Sequence, residues 1–177
     1  MKTKILLLLA FLGLAFTVQA QKFAYVDTKY ILENIPEYQA AQNTLDEISV
    51  EWQSELEIKF KEIDSLYKAF QSEAFLLPED AKVKRQDEII AKEREAKSLQ
   101  KKYFGTDGDL VKKRQELLQP IQDKVFNAIE ELAETGAYAV IFDKSGSMTM
   151  IYTNPKYDKS DEILECLGLS PGGVSNE

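Results

Sequence analysis

From Tyr38 onward the apolar positions fall at Tyr38, Ala41, Leu45, Ile48, Trp52, Leu56, Phe60, Ile63, Tyr67, Phe70, Ala74 and Leu77. Every step is three or four residues, which predicts one long amphipathic helix carrying a coiled-coil stripe; the successive steps of four around Leu56 read as a stutter. A stripe this narrow packs on one neighbour or a few and leaves the rest of the helix solvated. Pro78 then suits the first position of a second helix, with Glu79 and Asp80 next to the positive end of its dipole. Leu77, held extended by the proline that follows, makes the turn tight. On the return, Ile89, Ala96, Tyr103, Leu110 and Leu117 recur every seven residues, beside a second column of Phe104, Val111, Leu118, Val125 and Leu132. The pattern predicts a helical hairpin projecting as an arm from a small body.

Charge supports pairing of the two segments. Residues 37–75 carry nine acidic and three basic side chains, and residues 82–102 carry eight basic and four acidic ones. Exposed ion pairs contribute only ~0.3–0.5 kcal/mol each, so the opposition selects the antiparallel partner more than it stabilises it. Pro36 and Pro120 lie nearly equal chain distances from the turn and mark the shoulder where arm meets body; at 1.5 Å per residue the arm is roughly 60 Å long. Gly105 and Gly108, each costing ~1 kcal/mol in a helix, mark a hinge, a local break or a tolerated weak spot.

The body is assembled from the chain ends. Residues 22–27 read as a strand and 28–33 as a short helix. After a helix over 121–134, Gly136 is a stop signal, and residues 137–142 and 148–153 are β-rich runs joined by the turn Asp143-Lys144-Ser145-Gly146-Ser147. Ser160 caps a short helix with Ile163, Leu164 and Leu167 on one side, closed by Gly168 and Pro171. The expected fold is α+β, mostly α: a small β body of one N-terminal strand plus a C-terminal β-hairpin, and a long antiparallel coiled-coil hairpin arm. The expected domains are a signal peptide at 1–20, the body at 21–36 and 120–170, the arm at 37–119 and a disordered tail at 171–177. Three short strands and one short helix make too small a core to stand alone, so the body is expected to oligomerise.

At the N-terminus, Lys2 and Lys4 precede an apolar run and a Val18-Gln19-Ala20 site, the pattern of a signal peptide cleaved after Ala20. Removing it leaves 20 basic against 30 acidic residues, a balance that argues against nucleic acid as a partner. Cys166 is the single cysteine and histidine is absent, which excludes an internal disulfide, the usual zinc sets and a histidine-dependent triad. Cys166 reads as a half-buried packing residue. Asp143, Ser145 and Ser147 can be drawn as a catalytic site, but turn chemistry explains them better, and neither an enzyme nor a cofactor is expected.

The stretch FAYVDTKYILENIPEY after a signal peptide, the charged helical hairpin, the segment LLQPIQDKVFNAIEELAETGAYAVIFDKSGSM and the closing SDEILECLGL together resemble the Skp/OmpH family of periplasmic chaperones. The resemblance covers essentially the whole mature chain. It implies a periplasmic homotrimer whose strands form a central body and whose arms surround a cavity for unfolded outer-membrane proteins, held without ATP. Candidate client-contacting residues are Phe70, Phe75, Leu76, Leu77, Tyr103 and Phe104. For Phe70, Tyr103 and Phe104 packing within the hairpin is the stronger reading; Phe75 and Leu76 fall off the stripe beside the turn. Some members have strongly basic arms linked with anionic lipid or lipopolysaccharide. This mature chain is acidic, so that site is not carried over and membrane contact stays open. The competing class is a structural or adaptor coiled-coil protein of the envelope that docks one folded partner.

Overall fold

A computed structural model describes residues 21–146 and 150–171. The signal peptide, Ser147, the first two residues of the expected 148–153 strand and the tail beyond Pro171 lie outside the described residues. The chain divides into two compact units, residues 32–124 forming one and the segments before and after them the other.

In the first unit, Pro36 opens helix α2 (Pro36–Glu73), where its missing N–H interrupts no helical bond. A short helix α1 (Thr28–Glu33) precedes it. The turn closes through Ala74 N–H to the Phe70 carbonyl and Leu76 N–H to the Glu73 carbonyl, both 2.9 Å. Helix α3 (Glu79–Phe104) follows, with Glu79 and Asp80 in its first turn. Pro78 stands one residue earlier than expected, as the extended cap rather than the first helical residue. Two ion pairs cross between α2 and α3: Lys59 to Glu95 at 2.8 Å and Lys92 to Glu62 at 2.7 Å. Their partners descend along α3 as they ascend along α2, so the helices are antiparallel.

The seam corrects the expected stutter. Leu56, Ile63, Ile89 and Ala96 are buried, Leu66 and Phe70 pack against the last three, and Phe60 and Tyr67 are exposed. Positions 52, 56, 59, 63, 66 and 70 alternate steps of four and three without interruption, and Lys59 fills the place where an apolar residue was sought. Its stem lies half-buried in the seam while its amine reaches Glu95.

The return is two helices, not one. Gly105 ends α3 in an extended conformation, and helix α4 (Asp109–Thr135) begins after Gly108. A Cβ on Gly105 would run into the Lys101 carbonyl oxygen, and one on Gly108 would stand 2.7 Å from the Tyr103 carbonyl oxygen. The glycines are therefore required by close backbone approach at a real break. Pro120 lies inside α4, whose buried line is Leu118, Ile121, Val125 and Ala128.

In the second unit, β1 (Lys22–Val26) pairs in parallel with β2 (Tyr138–Asp143), in register Phe23 to Val140 through Val26 to Asp143. Parallel strands need a long crossover, and here most of the chain lies between them. Ile31, Val26, Ile163 and Leu164 are the fully buried side chains, the last two from α5 (Ser160–Cys166).

The C-terminal β-hairpin is not found among the described residues. Residues 150–153 form no strand, and a 3-10 turn (Pro155–Tyr157) follows. The free edge of β1 is taken instead by the chain after that turn: Tyr25 bridges Asp158 in parallel, and Lys159 N–H donates to the Tyr25 carbonyl at 2.9 Å. The apolar residues that read as a third strand are left outside, with Ile151 98 % and Tyr152 83 % exposed.

Three local readings also change. Ser160 caps no helix: its buried hydroxyl accepts from Asp27 N–H at 2.8 Å and donates to Asp158 Oδ1 at 2.6 Å. After α4 the left-handed residue is Ala137 (φ 52), while Gly136 is small because the Tyr138 ring lies against it. Cys166 is exposed, because the inward positions of the two-turn α5 go to Ile163 and Leu164. Gly168, left-handed at φ 77, does close α5 as expected.

Candidate functional site

Two large apolar side chains of the hairpin turn stay in water, and this follows from their position. Phe75 and Leu76 fall between the last seam residue of α2 and the cap of α3, where the backbone is turning. Phe75 is 80 % and Leu76 72 % exposed; Leu77 beside them is half-buried. Two adjacent large apolar groups in water form a surface suited to transient contact with other apolar chain.

The remaining candidates sit inside the hairpin. Phe70 packs on the cluster of Ile63, Ile89 and Ala96. Tyr103 stacks on Trp52 with ring centroids 4.4 Å apart and planes 10° from parallel, and Phe104 meets both edge-on at 6.3 Å. The Tyr103 hydroxyl donates to Glu55 Oε2 at 2.8 Å; this bond, with the nearby carboxylate charge and some desolvation, raises the phenol above its ordinary pKa. The structure thus brings Tyr103 and Phe104 together around Trp52 and leaves Phe75 and Leu76 apart from them at the turn.

Sequence reading missed Val50 and Ile58 on α2, which are 66 % and 64 % exposed. The signal was present: both are large apolar residues off the stripe on an otherwise polar face.

Half of the eight basic residues of α3 are engaged with acids. Lys82, Arg85, Lys92 and Lys102 each stand within 4 Å of a carboxylate, those of Glu79, Glu88, Glu62 and Asp109. These are structural contacts of the helices themselves and define no anion site.

The sheet unit offers a second apolar surface. Phe23, Tyr25, Tyr138, Phe142, Met150 and Tyr152 line an open cavity of about 720 Å³. Nearby, the Asp143 carboxylate accepts from Thr28 Oγ1 at 2.7 Å, Thr28 N–H at 3.2 Å, Ser145 N–H at 2.9 Å and Ser145 Oγ at 2.8 Å. This network ties α1 to the turn after β2. Partial burial pushes the Asp143 carboxyl up, but the bonds from Thr28 and Ser145 together outweigh it and hold it below its ordinary 3.8.

A carboxyl depressed on folding stabilises above its unfolded pKa and loses that contribution as pH falls through the folded value. Asp143→Ala is therefore expected to cost about 2–3 kcal/mol at neutral pH, the scale of charge-assisted hydrogen bonds left unmade. The difference from the parent should shrink below pH 4, as the parent's Asp143 carboxylate takes up its proton and loses the contribution that the variant never had. Urea unfolding across pH 3–7 measures it; a difference that stays constant over that range would refute the ionic part.

The profile of the family described as outer membrane protein (OmpH-like) matches residues 22–167, both units included. The chain belongs to the OmpH-like family. An Aquifex aeolicus protein of uncharacterised function is 29 % identical over 153 residues, covering 86 % of this chain and 88 % of its relative. A Caulobacter crescentus crystal structure, assigned as an OmpH-like outer membrane chaperone, superposes with a TM-score of 0.67 at 14 % identity. The match covers 89 % of this chain and 94 % of that one, so the OmpH-like fold extends over nearly the full length of both. At that identity the match concerns the fold alone. Among the described residues no helix of this OmpH-like chain is long and apolar enough to cross a membrane.

Proposed function

We propose that this OmpH-like chain is an ATP-independent periplasmic holdase, exported by cleavage after Ala20 and trimeric through its sheet unit. It binds unfolded outer-membrane β-barrel proteins between helical arms and keeps them from aggregating. The observation that carries this reading is the pair Phe75 and Leu76, large, adjacent and exposed at the end of a long helical hairpin in a chain of this family. Unfolded barrel strands alternate apolar and polar residues, so such clients expose many dispersed apolar groups. Several arms presenting weak apolar contacts at high local concentration hold such a chain by avidity, with fast exchange at each contact. No energy source enters the scheme; folding of the client into lipid removes the species that is bound.

Phe75→Ser with Leu76→Ser is expected to weaken suppression of aggregation several-fold for at least two unrelated unfolded barrels. Stability should stay within about 0.5 kcal/mol of the parent, because the positions are exposed. Turbidity during dilution of urea-unfolded client reads the first and thermal unfolding the second. Unchanged suppression would remove the turn from the client surface. Binding of one folded partner but no unfolded barrel would replace the holdase with an adaptor.

A further inference from the structure

We propose that the outward face of α2 between Asp46 and Ile58 is a docking strip for a cationic amphipathic helix. Val50, Ser54 and Ile58 follow one another at four-residue spacing, on the side of α2 away from Leu45, Leu56 and Ile63. The two large groups are exposed, stand ~12 Å apart along the axis, and are separated by a small serine. A shallow open groove runs along them, lined by α2 alone. Two ridges with a dip between them accept the side-chain knob of another helix.

The surrounding charge decides the occupant. Asp46, Glu47 and Glu51 rim the groove. None of the three makes an ion pair among the described residues, whereas Glu57, Glu62, Asp64 and Glu95 farther along the hairpin do. Residues 36–58 contain six acids and no lysine or arginine. Anionic lipid or an acidic segment is repelled from such a face. A helix with leucine-sized groups on one stripe and lysine or arginine beside it satisfies both the ridges and the rim. This surface is separate from the turn residues Phe75 and Leu76 and needs no unfolded client, so it is tested without one.

The probe is a fluorescein-labelled helical peptide of leucine and lysine, about 18 residues for five turns. It is titrated with the mature chain and followed by anisotropy at low and high salt. Val50→Ser with Ile58→Ser, and separately Glu47→Gln with Glu51→Gln, should each weaken binding at least about tenfold, the loss expected of central interface groups. The glutamine variant should also flatten the salt dependence. A matched leucine and glutamate peptide should not bind. The proposal is overturned if both variants bind within about twofold of the parent, or if Phe75→Ser with Leu76→Ser abolishes binding in their place. It is equally overturned if Val50→Ser with Ile58→Ser lowers the mass of the mature chain in light scattering, which would make a second copy the occupant.

Discussion

Leu164→Ala is expected to destabilise the sheet unit by about 3–5 kcal/mol, the upper part of the range for leucine truncation in a core. Leu164 is fully buried, and among the described residues of this unit Ile31, Ile163 and Val26 are the other large side chains buried to that degree. With so few such groups, each carries a large share of the apolar area withdrawn from water, and few neighbours are available to collapse into the space left behind. The loss also lies beside a hydrogen-bonded junction, because α5 begins at Ser160, whose hydroxyl is the acceptor for Asp27 N–H. For a chain of this size each kcal/mol lowers the melting temperature by about 2–4 °C, so a fall on the order of 10 °C is expected by circular dichroism. Because the chain holds two units, the melt is followed separately by Trp52 fluorescence, which reports the hairpin. A shift below about 1 kcal/mol would mean that the buried leucine is not part of a packed core.

Ile151→Ser with Tyr152→Ser is expected to convert the proposed trimer into monomer. Both side chains are almost wholly in water in the single chain, Phe23, Val140 and Tyr157 of the same unit are exposed as well, and Tyr152 lines one open cavity with Phe23 and Tyr157. Covering each of two such groups stabilises by roughly 1.5–3 kcal/mol, so losing both weakens each contact by about a thousandfold. That suffices to move a micromolar association out of reach at ordinary protein concentration. Light scattering should fall from about three chain masses to one, while the far-ultraviolet circular dichroism of the hairpin helices persists because neither residue belongs to them. A mass unchanged by the double substitution would place the association elsewhere and withdraw the sheet unit as the oligomerisation surface.

The two predictions differ in what sequence reading made available. Ile163 and Leu164 were legible, together with Leu167, as one apolar side because a two-turn helix has one such side and this one has clear end signals. Ile151 and Tyr152 were legible as β-rich and apolar, but not as a surface. Strand propensity reports fit to a half-buried pleated face, and it cannot say whether the covering face belongs to the same chain. Here the edge of β1 that a third strand would extend is occupied by residues 158–159. Likewise, the charge opposition of the two helical segments was visible, yet which lysine enters the seam was not. Lys59 does so because its stem is apolar and Glu95 lies opposite its tip.

The sequence by itself determined the helical hairpin, its turn beside Pro78, and α1 and α5, while Gly105 and Gly108 were legible as a weak point that only the structure resolved into a break. Each rests on local periodicity or on a residue whose backbone preferences act within a few positions. Phe75 and Leu76 were legible as lying off the stripe beside the turn, and the structure shows both exposed there. Only the tertiary structure decided the parallel pairing of β1 with β2, the occupation of the second β1 edge, the use of the Ser160 hydroxyl as a buried link and the left-handed Ala137. These join residues more than a hundred positions apart or depend on such joining. Their energy comes from contacts that no local pattern encodes, and they exist only once the two ends of the chain have met.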